Sequence, residues 1–88
     1  MYEKSTIVKN KTGFHARPAS VLVSTAMKFT SAISIETASK KANAKSLISI
    51  LSLGASKDTE IVIKAEGPDE EEAVAALLEL VDSEFKTE

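Results

Sequence analysis

Strand-period and helix-period stretches alternate along this chain at such short intervals that no single element can bury its own apolar face. Each must cover another, so only a layered arrangement is open to it. Residues 2–8 read as a strand with Thr6-Ile7-Val8 at its β-favouring end. A helix is predicted from Ala16 or Pro18 to Met27, with Ala19, Leu22, Val23 and Ala26 as its core stripe. Ala32 to Glu36 alternates as a half-buried strand, Thr37-Ala38-Ser39 turns the chain, and Lys40 to Asn43 supplies a short partner whose lysines suit a sheet edge. A short helix spans Leu47 to Leu53 before Gly54. Glu60 to Ala65 is the clearest strand, closed by Gly67-Pro68. The last helix begins with Asp69 as N-cap and three glutamates in its first turn, and buries Val74, Leu77, Leu78, Val81 and Phe85. The order β-α-β-β-α-β-α over 88 residues predicts one α+β domain spanning 1–88, with one sheet covered by helices on one face.

The residues that bear chemistry gather at the first helix. Its start is the run Gly13-Phe14-His15-Ala16-Arg17-Pro18-Ala19-Ser20, which holds the only histidine of the chain. A helix start presents unpaired N–H groups and the positive end of the helix dipole, a ready place for an anion. Imidazole, with an ordinary pKa of about 6.5, is a nucleophile near neutral pH without a helper base. Once phosphorylated, it would lie beside Arg17, whose guanidinium can hold two phosphoryl oxygens at once. Thr12 could add a hydroxyl donor, and the small Ala16 leaves its N–H accessible. Pro18 suits a first turn, where its missing N–H has no intrahelical role.

Composition narrows what this histidine can do. There is no cysteine, and with a single histidine no metal site is expected. Nor is there a phosphate-binding P-loop or a carboxylate pair for magnesium, so no nucleotide cofactor is expected. The site reads as a relay that receives a phosphoryl group from one partner and passes it to another, rather than a self-contained catalyst. The start Met1-Tyr2-Glu3-Lys4 lacks an apolar signal core, and no apolar run nears the roughly 20 residues of a membrane span. A cytoplasmic protein is expected. Charge is lopsided: nine basic residues face Glu3 and Glu36 up to Lys57, and eleven acids face Lys64 and Lys86 beyond it. The basic part contains His15 and suits phosphate or an acidic partner, although ordinary solvated surface explains such a split equally well.

The second helix carries more apolar surface than one core stripe requires. At about 100° per residue, Leu47, Ile48 and Leu51 fall on one side and Ile50 and Leu53 on another. The first group reads as a docking patch, the alternative being a helix buried around most of its circumference. Ser46 stands at the N-cap, where a phosphoserine would meet the positive helix end.

The Gly13-to-Pro18 run, together with Ala44-Lys45-Ser46-Leu47 and Ser52-Leu53-Gly54, resembles the HPr family over nearly the whole chain. These are the histidine-containing phosphocarriers of the bacterial sugar phosphotransferase system. The resemblance implies an open-faced β-sandwich, an antiparallel sheet of order 1-4-2-3 under three helices. It implies that His15 accepts phosphate on Nδ1 from phospho-Enzyme I and passes it to Enzyme IIA domains of sugar permeases, with Arg17 as the phosphate-binding neighbour. Ser46 matches the serine that HPr kinase/phosphorylase modifies in Gram-positive relatives, where the product is co-repressor to a catabolite-control transcription factor. Phe14, Ser20, Leu47, Ile48 and Leu51 correspond to partner-docking positions, and members work as monomers. A paralogous group keeps the serine but lacks the histidine; His15 argues against that group. Three positions depart from the usual pattern: Phe14 stands where leucine or isoleucine is common, Ala38-Ser39 where Asn-Gly is common, and Asp58 where glycine is common.

Two other classes compete. The same element order begins an RNA-recognition fold, which needs aromatic residues on its central strands for base stacking. Here only Tyr2 lies in a strand, while Phe14, Phe29 and Phe85 lie outside. The other is a regulatory protein whose activity resides at Ser46 alone.

Overall fold

In the computed structural model, which describes residues 1–11 and 13–83, the chain forms seven elements. They are β1 (Tyr2–Ile7), α1 (Ala16–Ala26), β2 (Ala32–Glu36), β3 (Lys41–Asn43), α2 (Leu47–Leu53), β4 (Glu60–Glu66) and α3 (Glu70–Asp82). The sheet order is β1-β4-β2-β3, with every neighbouring pair antiparallel. The 1-4-2-3 order and the three helices match expectation. Every expected element is present with ends shifted by a residue or two, as hydrogen bonding at fraying ends dictates. Phe85, expected in the stripe of the last helix, lies outside the described residues.

β4 organises the core. Its inward residues Ile61, Ile63 and Ala65 are buried, and register sets them beside Thr6, Lys4 and Tyr2 of β1. Ile35 and Ile33 of β2 continue the same face opposite Ile63 and Ala65. Helices cover it with Ala19, Leu22 and Ala26 from α1, Ile50 and Leu53 from α2, and Ala73, Val74, Leu77, Leu80 and Val81 from α3. Val23 and Leu78, read from periodicity as core, are only partly buried against this cluster. A large aliphatic side chain taken fully out of water contributes roughly 1.5–3 kcal/mol, so this single continuous cluster dominates what holds the sheet and helices together.

The other sheet face is polar. Glu3 faces Lys64 across β1 and β4 at 3.8 Å, Lys64 reaches Glu36 of β2 at 3.2 Å, and Glu36 meets Lys41 of β3 at 3.9 Å. An alternating stripe of charge therefore crosses all four strands.

Asp69 occupies the N-cap position of α3, but its side chain does not cap the helix. It reaches back to the start of β2 and accepts bonds from the N–H groups of Thr30 and Ser31, each at 3.0 Å, and from the Ser31 hydroxyl. The expectation of a capping aspartate is corrected here, since three donors converging from one loop outcompete a single helix N–H. Glu70 serves the junction instead, its Oε1 accepting the Gly67 N–H at 3.1 Å. Gly67 has φ +153°, and a Cβ there would sit 2.7 Å from Ser31 Cα. The Ser31 hydroxyl, aided by the Thr30 N–H, holds the Asp69 carboxyl below its ordinary value of 3.8. With the folded-state pKa depressed, this contribution is present above about 3.8 and is lost as pH falls through the folded value. A Ser31→Ala variant should be less stable than wild type at pH 7, and the gap should narrow on acidification below pH ~4. Melting temperatures followed from pH 7 to 2 check this; a gap independent of pH would sink it.

Asp58 adopts φ +74° in the loop before β4, donating its N–H to Val8 O at 2.7 Å. Aspartate is one of the few side chains that visit this region, so it can stand where glycine is usual with the backbone left-handed.

Among the described residues, no helix is long and apolar enough to cross a membrane.

Candidate functional site

After β1 the chain runs beside the loop that precedes β4, with Val8 N–H donating to Thr59 O at 2.9 Å. It then turns sharply. Gly13 N–H donates to Asn10 O at 3.2 Å, and the Asn10 carboxamide donates in return to Gly13 O at 2.6 Å. Phe14 N–H donates to Ala55 O at 3.0 Å. Gly13 has φ +64°, and a Cβ on it would overlap Ala55 O and lie 2.7 Å from Ser56 Cα. Both the backbone angle and the close approach demand glycine here.

This turn delivers His15 to the N-cap of α1 with φ −94° and ψ −171°. Its backbone O accepts the Ala19 N–H at 2.9 Å, but its side chain makes no cap hydrogen bond and is exposed. Pro18 has no N–H to offer, so the leftover donors of the first turn are those of Ala16 and Arg17. Both residues are exposed, and Arg17 makes no ion pair among the described residues. Pro18 and Ala19 are buried and anchor the turn beneath them. The result is a bare imidazole at the positive end of a helix with an uncommitted guanidinium two residues on. That arrangement can accept a transferred anion and hold it in solvent reach of a second protein.

Two further neighbours are expected at the site. Thr12, expected to offer a hydroxyl, lies outside the described residues. Phe14, expected on the docking surface, is instead a core residue only 5% exposed. With its N–H directed to Ala55 O, the ring turns inward while the next side chain, His15, faces out. Ser20, also assigned to docking, is exposed.

Ser46 caps α2 as its spacing implied, the hydroxyl accepting the Ser49 N–H at 3.3 Å. Beyond it the helix divides as the 100° wheel required. Ile50 and Leu53 are buried, whereas Leu47, Ile48 and Leu51 are 38, 77 and 39% exposed. α2 ends at Gly54, φ +68°, and the next residue is the Ala55 whose carbonyl holds Phe14 N–H. The end of the apolar helix and the histidine turn are therefore held against each other by a backbone hydrogen bond between two segments distant in sequence. Neither Asn10 nor Ala55 stands out in the sequence. The one available signal is a carboxamide three residues before a glycine that must adopt positive φ.

No group of three or more potential metal-ligating side chains occurs among the described residues.

Comparison with known proteins agrees with this geometry. A sequence-family model for the PTS HPr component phosphorylation site matches residues 2–83. The HPr-like protein Crh of Halalkalibacterium halodurans is 45% identical over 84 residues, covering 96% of this chain and 100% of Crh. The crystal structure of HPr-C-His from Thermoanaerobacter tengcongensis superposes with a TM-score of 0.94 at 51% identity, covering 100% of this chain and 99% of that one. Crh of Bacillus subtilis, described as a dimer with a swapping domain, superposes at 0.77 and 42% identity over 96% of this chain and 97% of that one. With nearly every described residue matched, this chain belongs to the HPr family of the phosphotransferase system.

Proposed function

We propose that this chain is a phosphocarrier whose His15 accepts a phosphoryl group from phospho-Enzyme I and donates it to Enzyme IIA domains of sugar permeases. The observation that carries this reading is the exposed His15 side chain at the N-cap of α1, beside an Arg17 with no ion pair among the described residues. In the forward step an imidazole nitrogen, Nδ1 by family resemblance, forms a bond to phosphorus as the bond from phosphorus to the donor breaks. Transfer to the next protein repeats this with His15 as leaving group. Arg17 and the first-turn N–H groups hold the phosphoryl oxygens in between. Leu47, Ile48 and Leu51, with Ser20, form the surface on which the partners sit in turn. Ser46 is a regulatory position: HPr kinase/phosphorylase would place a dianion on the N-cap beside that apolar surface and weaken docking there, and the product would engage a catabolite-control transcription factor. The protein works in the cytoplasm as a single-domain monomer that needs no cofactor of its own.

The 45% identity to HPr-like protein Crh favours a second reading, a regulator acting through Ser46 alone. Intact-mass spectrometry separates the two. With Enzyme I and phosphoenolpyruvate, the phosphocarrier gains one acid-labile, alkali-stable phosphoryl group on His15. With ATP and HPr kinase/phosphorylase it gains an acid-stable one on Ser46. Labelling by the kinase only would overturn the carrier and favour the regulator. The swapped dimer described for Crh of Bacillus subtilis makes solution mass a companion measurement, with the monomer expected.

A further inference from the structure

Among the described residues only two polar side chains are buried, Asn10 and Ser31. Ser31 is accounted for by Asp69. Asn10, 8% exposed, stands at the base of the histidine turn. A buried carboxamide is retained only where its hydrogen bonds repay its removal from water. The Asn10 carboxamide bond to Gly13 O points to what it serves.

Gly13 C=O and Phe14 N–H are the two ends of one peptide unit. The first accepts from Asn10 Nδ2 at 2.6 Å and the second donates to Ala55 O at 3.0 Å. Bonds at both ends fix the plane of that unit, because a rotation that keeps one must break the other. Glycine on its N-terminal side makes such a rotation easy, since turning this unit changes ψ of Gly13, which no Cβ restricts. The next Cα along is that of Phe14, and after it comes His15. We infer that Asn10 is a positioning residue for His15, holding the Gly13–Phe14 peptide in the one orientation that buries Phe14 and turns the imidazole outward at the start of α1. This rests on the phosphocarrier reading for its functional consequence, but its structural half can be measured without any transfer.

Asn10→Asp keeps the shape and replaces the donor by an oxygen facing Gly13 O; Asn10→Ala removes the group. In both, the Phe14 amide should exchange with solvent at least ~10-fold faster, which is about 1.4 kcal/mol of lost protection, while amides of α3 keep their wild-type rates. With phospho-Enzyme I, kcat for His15 phosphorylation should fall roughly 10–100-fold, as expected of a reacting group about 1 Å out of place. KM should stay unchanged, because the exposed face of α2 is untouched. A purely structural role would lower the melting temperature of the folded variants and leave kcat alone. Wild-type Phe14 exchange or wild-type kcat in either folded variant overturns the inference. Should both variants unfold, wild type itself decides: a scalar coupling across the hydrogen bond from Asn10 Nδ2 to the Gly13 carbonyl carbon is required, and its absence refutes the assignment. If wild type takes no phosphoryl group at all, the phosphocarrier reading fails, whereas the exchange result stands apart from it.

Discussion

A His15→Ala chain is expected to take up no phosphoryl group from phospho-Enzyme I and yet to melt within a few degrees of wild type. The two halves of that expectation come from one observation. The His15 side chain is exposed and makes no cap hydrogen bond, so its removal leaves no donor unpaired and no cavity behind. Surface changes of this kind usually fall within about ±0.5 kcal/mol. The bond that His15 contributes to α1 is made by its backbone O to Ala19 N–H, which alanine retains. Chemistry, by contrast, has no substitute, because this is the only imidazole in the chain and there is no cysteine. Intact-mass spectra of both proteins, with melting curves alongside, give the result. Undiminished labelling of the variant would remove His15 from the mechanism, and a large loss of stability would mean that its side chain has a structural task.

Gly13→Ala should do nearly the opposite, damaging the fold first and the transfer as a result. A φ of +64° in an L-residue is disfavoured by roughly 1–2 kcal/mol. The added Cβ also meets backbone on the facing segment, Ala55 O and Ser56 Cα, rather than the movable tip of a side chain. Relief therefore requires parting the histidine turn from the end of α2, and forced overpacking of this sort typically costs about 1–3 kcal/mol more. In a domain of this size each kcal/mol lowers the melting temperature by about 4–8 °C, so a fall of roughly 8–40 °C is expected. His15 phosphorylation, read at a temperature where the variant is still folded, should slow because Phe14 N–H can no longer reach Ala55 O. A melting temperature within about 3 °C of wild type, less than the left-handed φ alone would cost, would show that the two segments part freely and that their contact does not hold the turn.

The strands and the split helix are legible in sequence because their cause is local. Ile61 and Ile63 alternate with Val62 and Lys64 whatever lies nearby, and the wheel that separates Ile48 from Ile50 needs only the 100° step of a helix. Ser46 is legible for the same reason, since its hydroxyl serves an N–H three residues on. His15 and Arg17 are legible because their residue types are scarce and their spacing to Pro18 is specific. What escapes is set by contacts distant in sequence. Asp69 turns from its own helix to Thr30 and Ser31, more than thirty residues back, because that loop offers three donors together. Phe14 reads as surface beside an exposed histidine, but its direction is decided by a carbonyl forty-one residues later. Asn10 looks like one polar residue of a polar loop; only the fold reveals which peptide it grips.

The stripe Glu3–Lys64–Glu36–Lys41 across the open face also bears on how the strands find their places. Alternation of apolar and polar residues determines strand pairing only by parity: a slip of one residue inverts the faces, but a slip of two restores them. Moved by two in one direction, β1 would set Glu3 against Glu66; moved in the other, it would set Glu3 against Val62. The same slip between β2 and β3 would leave Glu36 facing Asn43 or Ser39 in place of Lys41. Singly, such exposed pairs contribute little, about 0–1 kcal/mol. Their value lies in the comparison, because like charges set opposite each other are unfavourable and unpaired ones lose what they had. The polar face thereby distinguishes between alignments that the core alone would accept equally.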